Sequence, residues 1–166
     1  MNRIDVKRPG RYFGHWKSPL GSIVLASDGR ALVGLWFEGQ KFFGSTLSAN
    51  AMECNNRLEF DETRRWLADY FSGTRPSVMP EIRLAGTEFQ NRVWGALLTV
   101  GWGETVTYGQ LATRLGSSPR AVGSAVGRNP ISLIVPCHRV TGVASLTGYA
   151  AGLDIKRALL DIESRH

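Results

Sequence analysis

The sequence predicts an α/β protein of the α+β kind, built as two small lobes, 1–80 and 81–166. Three observations predict it. Strand-like stretches separated by turn residues run through 11–37, a linker bearing Pro76 and Pro80 follows at 74–83, and two helix-capping boxes open short helices between 87 and 128. The first lobe is expected to hold a three-stranded antiparallel sheet with one helix. The second is expected to be helical.

In the first lobe, Tyr12, Gly14 and Trp16 alternate with their neighbours. Ser18-Pro19-Leu20-Gly21 then turns the chain into Ser22-Ile-Val-Leu-Ala-Ser27, and Asp28-Gly29 makes a tight hairpin before Ala31-Leu-Val-Gly-Leu-Trp-Phe37. Residues 41–56 show no period and are expected to be loop or irregular helix. Phe60, Leu67, Tyr70 and Phe71 fall at helical spacing, and Gly73 supplies the stop, so 59–72 is expected to be an amphipathic helix.

In the second lobe, Thr87-Glu-Phe-Gln90 has the form of a capping box, in which the Thr and Gln side chains satisfy free amides of the first turn. Phe89, Val93, Trp94 and Leu97 form the apolar stripe that follows. Thr107-Tyr-Gly-Gln110 is a second box, with Leu111, Ala112 and Leu115 facing inward and Gly116 as the stop. Ser117 and Ser118 precede Pro119, which is suited to a first helical position because its missing N–H costs nothing there. The helix 119–128 ends before Asn129-Pro130. Two short helices around a Gly-Ser-Ser turn fit either a packed αα-hairpin or a helix-turn-helix. Val122, Ala125 and Val126 give the second helix an inner face, while Ala121, Gly123 and Ser124 leave its other side nearly bare. Such a helix suits close contact with another helix or with a narrow DNA groove, and Arg120 is the long cation at its start.

Composition narrows the function classes. Of the 166 residues, 43% are hydrophobic and five are Trp, enough for a packed core. The net charge of +6 is shared evenly, because residues 1–80 hold 11 Lys/Arg against 8 Asp/Glu and residues 81–166 hold 9 against 6. Contact with a polyanion must therefore come from a few placed cations. No apolar run approaches membrane-spanning length, and the charged start is not followed by an apolar segment, so a cytoplasmic protein is expected. Cys54 and Cys137 are expected to be free thiols, and with His15, His138 and His166 they offer no zinc-site spacing, so neither metal nor cofactor is expected.

Ile134-Val-Pro-Cys137-His-Arg-Val140 is the most informative stretch. A cysteine between an apolar run and a His-Arg pair reads either as a small buried hydrophobe or as a thiol with a base and positive charge beside it. In this setting the motif resembles the acceptor site of the O6-alkylguanine-DNA alkyltransferases. The likeness continues in order through Gly103-Glu-Thr-Val-Thr-Tyr108-Gly-Gln-Leu-Ala112, Arg120-Ala-Val-Gly123, Asn129-Pro130, Leu146-Thr-Gly-Tyr149 and a final helix, 154–164, bearing Glu163. Ser18-Pro-Leu-Gly21 and Gly34-Leu-Trp-Phe37 extend it more loosely into the first lobe.

The resemblance implies a ribonuclease H-like first lobe and a winged-helix-like second lobe. It also implies single, irreversible transfer of an alkyl group from guanine O6 in duplex DNA to Cys137, with thymine O4 as a further candidate donor. His138 would generate the thiolate through a bridging water, Glu163 would orient that histidine, and Tyr108 would protonate the leaving purine at N3. Asn129 would hold the turn before the active segment. Arg120 would fill the space of a flipped nucleotide, with Ala121, Gly123 and Ser124 against the minor groove. Tyr149, with Val140, Ala150 and Ala151, would line the pocket, and Arg139 would be structural. The implied partner would be double-stranded DNA containing O6-alkylguanine, met by a chain that is a monomer in solution and could assemble cooperatively along DNA.

The sequence departs from the family pattern in two places. Ala150-Ala151-Gly152 stands where Gly-Gly or Ser-Gly-Gly is usual, which predicts a pocket narrowed toward small adducts. The segment between Val140 and Tyr149 is one residue short and lacks a turn glycine at Val143-Ala144-Ser145. Competing classes are a damage-binding relative without efficient transfer, a cysteine hydrolase and a transcription factor. The first would lack Cys137. The second needs an oxyanion hole, and the third needs long polar side chains on 119–128.

Overall fold

The computed structural model describes residues 9–165. The first eight residues of the 1–80 lobe, with their charged start, and His166 lie outside the described residues. Strands β1 (Gly10–Ser18), β2 (Gly21–Ser27) and β3 (Leu32–Phe37) form the antiparallel meander that the turn residues predict. Ser18 Oγ closes the first turn by donating to the Gly21 carbonyl (2.6 Å) and accepting from the Leu20 N–H. Asp28 Oδ1 closes the second by accepting from the amides of Arg30 and Ala31.

The sheet has four strands rather than the three expected. Leu47–Glu53, expected to be loop or irregular helix, forms β4, which pairs parallel to β1 and gives the order β3-β2-β1-β4. It is an edge strand in which five small or polar residues accompany Leu47 and Met52, and it is half-buried at best. It therefore lacks the apolar alternation by which a strand is read from sequence.

Helix α1 (Leu58–Phe71) covers one face of the sheet with Phe60, Thr63, Leu67 and Tyr70, and ends at Gly73, whose φ of +83° few other residues adopt easily. Beyond the linker come α2 (Glu88–Leu97), β5 (Val106–Thr107), α3 (Tyr108–Leu115) and α4 (Pro119–Gly127). Both predicted capping boxes are present, each with its two reciprocal hydrogen bonds. Ser118 caps α4 through the Ala121 amide, and Gly116 takes the left-handed conformation at the end of α3. The Trp94 indole donates to the Ala125 carbonyl (2.8 Å) and fastens α2 to α4. A single 3-10 turn at Cys137–Arg139, strand β6 (Val140–Thr141) paired parallel to β5, and α5 (Leu153–Ser164) complete the chain.

The lobes share one hydrophobic core, running from Ile23 and Leu35 of the sheet through Val93 and Leu111 to Val135 and Leu159. They are also joined through the backbone. The free edge of β3 pairs with the linker, where the Leu32 amide donates to Glu81 and the Arg83 amide donates to Leu32, both at 2.9 Å. Farther along, the Leu35 amide donates to Pro130 and the Ser132 amide donates to Leu35, again at 2.9 Å. That edge holds the segment leading into Cys137.

Candidate active site

Cys137 sits at the end of a tightly folded run that Asn129 organises. The Asn129 side-chain amide donates to the carbonyls of Val135 (2.8 Å) and Ile131 (3.3 Å), and its Oδ1 accepts the Ile131 N–H (3.0 Å). Leu133, buried, takes a φ of +71° within this run. A left-handed leucine persists only where its surroundings enforce it. The thiol that results is 5% exposed.

It opens onto a cleft of about 420 Å³. Tyr108, at the start of α3, Gly123 and Ser124 of α4, and Asn129 bound one side; Tyr149 and Ala150 bound another. The first lobe supplies a wall that the sequence does not announce. Lys41 and Phe42 line the cleft, the Lys41 amide donates to the Ala150 carbonyl (3.1 Å), and the Arg128 guanidinium lies 4.3 Å from the Phe42 ring centre. Arg120 is exposed on the first turn of α4, with Ala121 half-buried beside it. Val140 is wholly buried behind the cysteine, and Ala151 packs against the core next to the cleft-lining Ala150.

Behind the thiol lies a fully buried relay. His138 Nε2 and Glu163 Oε1 are 2.6 Å apart. Arg139 grips the same carboxylate with a fork, Nε to Oε2 and Nη2 to Oε1, both 2.9 Å, and donates from Nη1 to the Val100 carbonyl (2.6 Å). Burial would raise the Glu163 carboxyl, but the hydrogen bonds from His138 and Arg139 win and hold it down at about 2. Burial pushes the His138 imidazolium down against the pull of Glu163, which leaves the ring neutral. With Nε2–H directed at Glu163, Nδ1 is the nitrogen left with a free lone pair, and it has no hydrogen-bond partner among the described residues.

Burial pushes the Cys137 thiol up, and the Asn129 amide, the Lys156 charge and the Tyr149 hydroxyl offset part of that rise. The resting group is a protonated thiol that needs a base. Burial, together with any charge on the neighbouring Cys137 sulfur, keeps the Tyr149 hydroxyl protonated. Lys156 of α5 is fully buried, and its ammonium donates to the carbonyls of Val140 (2.5 Å), Leu146 (2.6 Å) and Gly148 (3.2 Å). Burial lowers this amine to about 8 while the Cys137 charge opposes the fall. It ties the loop bearing Tyr149 to the cysteine turn and keeps a positive charge near the sulfur.

The structure thus brings Cys137, Asn129, Tyr108, Tyr149, Ala150, Gly123 and Ser124 around one cleft, with His138 and Glu163 behind it. Lys41, Phe42, Arg128, Ser132 and Lys156 are among the residues at the site that reading the sequence missed. Only Lys156 carried a signal, as a lone lysine on the inward side of the last helix.

The chain matches known proteins in both sequence and structure. Residues 11–81 match the family model described as "6-O-methylguanine DNA methyltransferase, ribonuclease-like domain", and residues 88–165 match its "DNA binding domain". A methylated-DNA–protein-cysteine methyltransferase of Methanosarcina acetivorans is 44% identical over 160 residues, covering 92% of this chain and 97% of that protein. One from Mycobacterium leprae is 43% identical, covering 88% of each chain. The crystal structure of Mycobacterium tuberculosis OGT in complex with DNA superposes with a TM-score of 0.83 at 41% identity, covering 92% of each chain.

Proposed function

The chain belongs to the 6-O-methylguanine DNA methyltransferase family, and we propose that it repairs DNA with Cys137 as the alkyl acceptor. It is a methylated-DNA–protein-cysteine methyltransferase acting by direct reversal on O6-alkylguanine in duplex DNA. The observation that carries the assignment of the acceptor is the Cys137 thiol at the end of the cleft, backed by a neutral His138 whose proton is directed at Glu163.

The target carbon is inaccessible inside the duplex, so the damaged nucleotide is extruded into the cleft. Extrusion costs less for a base that pairs poorly. Helix α4 docks in the minor groove by its bare side, with Gly123, Ser124 and Ala121 close to the backbone and Arg120 in the place of the lost base. His138, through a bridging water, takes the Cys137 proton. The sulfur attacks the alkyl carbon, the S–C bond forms as the C–O6 bond breaks, and the electron pair stays on the purine. Tyr108 protonates the purine at N3, and the proton removed from the thiol restores the balance. The product is a thioether with no route to hydrolysis, so each chain acts once. Tyr149 and Ala150 border the alkyl group from the far loop, with Val140 and Ala151 behind them.

The lobes divide as 1–80 and 81–166, the second carrying DNA binding and alkyl acceptance. The protein works as a monomer in the cytoplasm, where its two free thiols stay reduced. A non-transferring damage binder is the weaker reading, because it has no use for Cys137 and its relay. Cys137→Ala decides between them: labelled-methyl transfer should vanish while duplex binding persists, and Cys54→Ala should change neither. Residual transfer in Cys137→Ala would show that the acceptor lies elsewhere.

A further inference from the structure

Tyr70 belongs to the first lobe, yet its hydroxyl ends inside the relay of the second. It is the next-to-last residue of α1, and its side chain is fully buried. Its ring stacks on Trp66 (5.3 Å between centres) and meets Trp102 edge-on at the same distance, a setting that alone would favour phenylalanine. A buried hydroxyl carries a desolvation cost unless it is bonded, so its retention calls for a partner. The partner is Glu163: Oη donates to Oε1 at 2.9 Å, against 3.5 Å to the alternative acceptor, the Leu159 carbonyl. The same Oε1 accepts from His138 Nε2, which lies 3.4 Å from Oη, and from Arg139.

We propose that Tyr70 is a positioning residue for the alkyl transfer: its hydrogen bond to Glu163 Oε1 fixes the carboxylate and loosens its hold on the imidazole proton, so that His138 keeps a neutral ring with Nδ1 available as base. This rests on the reading of Cys137 and His138 given above. Glu163 is the acceptor for His138, Arg139 and Tyr70 together, and each donor it has lowers its appetite for the others' protons. The charges facing His138 are Glu163 and Lys156 from α5 and Arg139 from its own turn; Tyr70 is the group contributed by α1. The active site is therefore completed by the first lobe, through one hydroxyl held 93 residues from its acceptor in sequence.

Removing that hydroxyl leaves Glu163 a stronger acceptor, which favours the imidazolium. His138 would then take up its proton at higher pH and be lost as a base sooner as pH falls. In Tyr70→Phe, the acid limb of the single-turnover rate of methyl transfer from an O6-methylguanine duplex should move up by about one pH unit. At the foot of the limb that is a rate about tenfold below the wild type's, with each protein normalised to its own alkaline plateau. A uniform loss at every pH with an unmoved limb would assign Tyr70 to packing alone and overturn the proposal. Site-specific 3-fluorotyrosine at position 70, nearly the same size and a stronger donor, should move the limb down, and it decides the matter even if the phenylalanine variant fails to fold. Profiles that superpose on the wild type would again overturn the proposal. A wild-type chain that transfers nothing at any pH would instead sink the assignment of Cys137, and the two failures are distinguishable.

Discussion

Arg120 projects into solvent from the first turn of α4, on a helix whose neighbouring positions are alanine, glycine and serine. Among the described residues it makes no fold-holding contact comparable to the Arg139 fork, which leaves it free for the DNA contact proposed above. Arg120→Ala should slow repair of duplex substrate on the order of tenfold or more, since the side chain offsets part of the few-kcal/mol extrusion cost, and should leave reaction with free O6-benzylguanine nearly unchanged. Equal losses on the two substrates would place Arg120 in support of the cleft instead. Cys137, His138, Asn129 and Glu163 were legible because each sits in an ordered string of motifs. Tyr70 was legible only as part of an apolar stripe, and Lys156 only as a lone lysine on the inward side of the last helix. What makes each of them matter is a polar atom's partner outside its own helix, and helical periodicity reports burial without reporting partners.

Among elements, the stretch from β3 to β4 supplies the first lobe's wall of the cleft. Phe42 holds a φ of +59° and, with Arg128 against its ring, closes the outer side of the cleft. The sequence pointed to the Ala150-Ala151 pair as narrowing the pocket; Ala150 does border the cleft, together with Phe42, whereas Ala151 packs against the core. Relief of crowding against a bulky adduct is worth about 1–3 kcal/mol, or roughly 5- to 150-fold in rate. Phe42→Ala should therefore raise the ratio of O6-benzylguanine to O6-methylguanine repair in the same duplex, and raise it more than Ala151→Gly does. An unchanged ratio in Phe42→Ala would remove the first lobe from adduct selection. The helices and the meander were legible from caps, turns and apolar stripes. Strand β4 was not, because its parallel pairing with β1 depends on a neighbour across the sheet and its own residues carry no alternation.

At the scale of the whole molecule, the two lobes meet at Glu163, which accepts from Tyr70 of the first and from His138 and Arg139 of the second. Its carboxyl is held at about 2 in the folded chain, below the ordinary 4.5, so the stability it contributes is present above pH 4.5 and is lost as pH falls toward 2. Glu163→Gln should lower stability at neutral pH by about 3 kcal/mol or more, since Arg139 is left buried without its counter-charge. It should also show a smaller further loss between about pH 4.5 and 2 than the wild type does, read from urea midpoints across that range. A parallel pH dependence in the two proteins would mean that the carboxylate is not held as described. The union of the lobes was not legible, because the β3 edge that clasps Glu81 and Pro130 involves backbone atoms alone.

A single irreversible transfer to one sulfur is the central claim, and intact mass followed by peptide mapping tests it most directly. After mixing with excess O6-methylguanine duplex, the chain should gain one methyl group, carried by the peptide containing Cys137, and gain no more on longer incubation. A methyl on the Cys54 peptide, or an unmodified chain beside demethylated DNA, would contradict it.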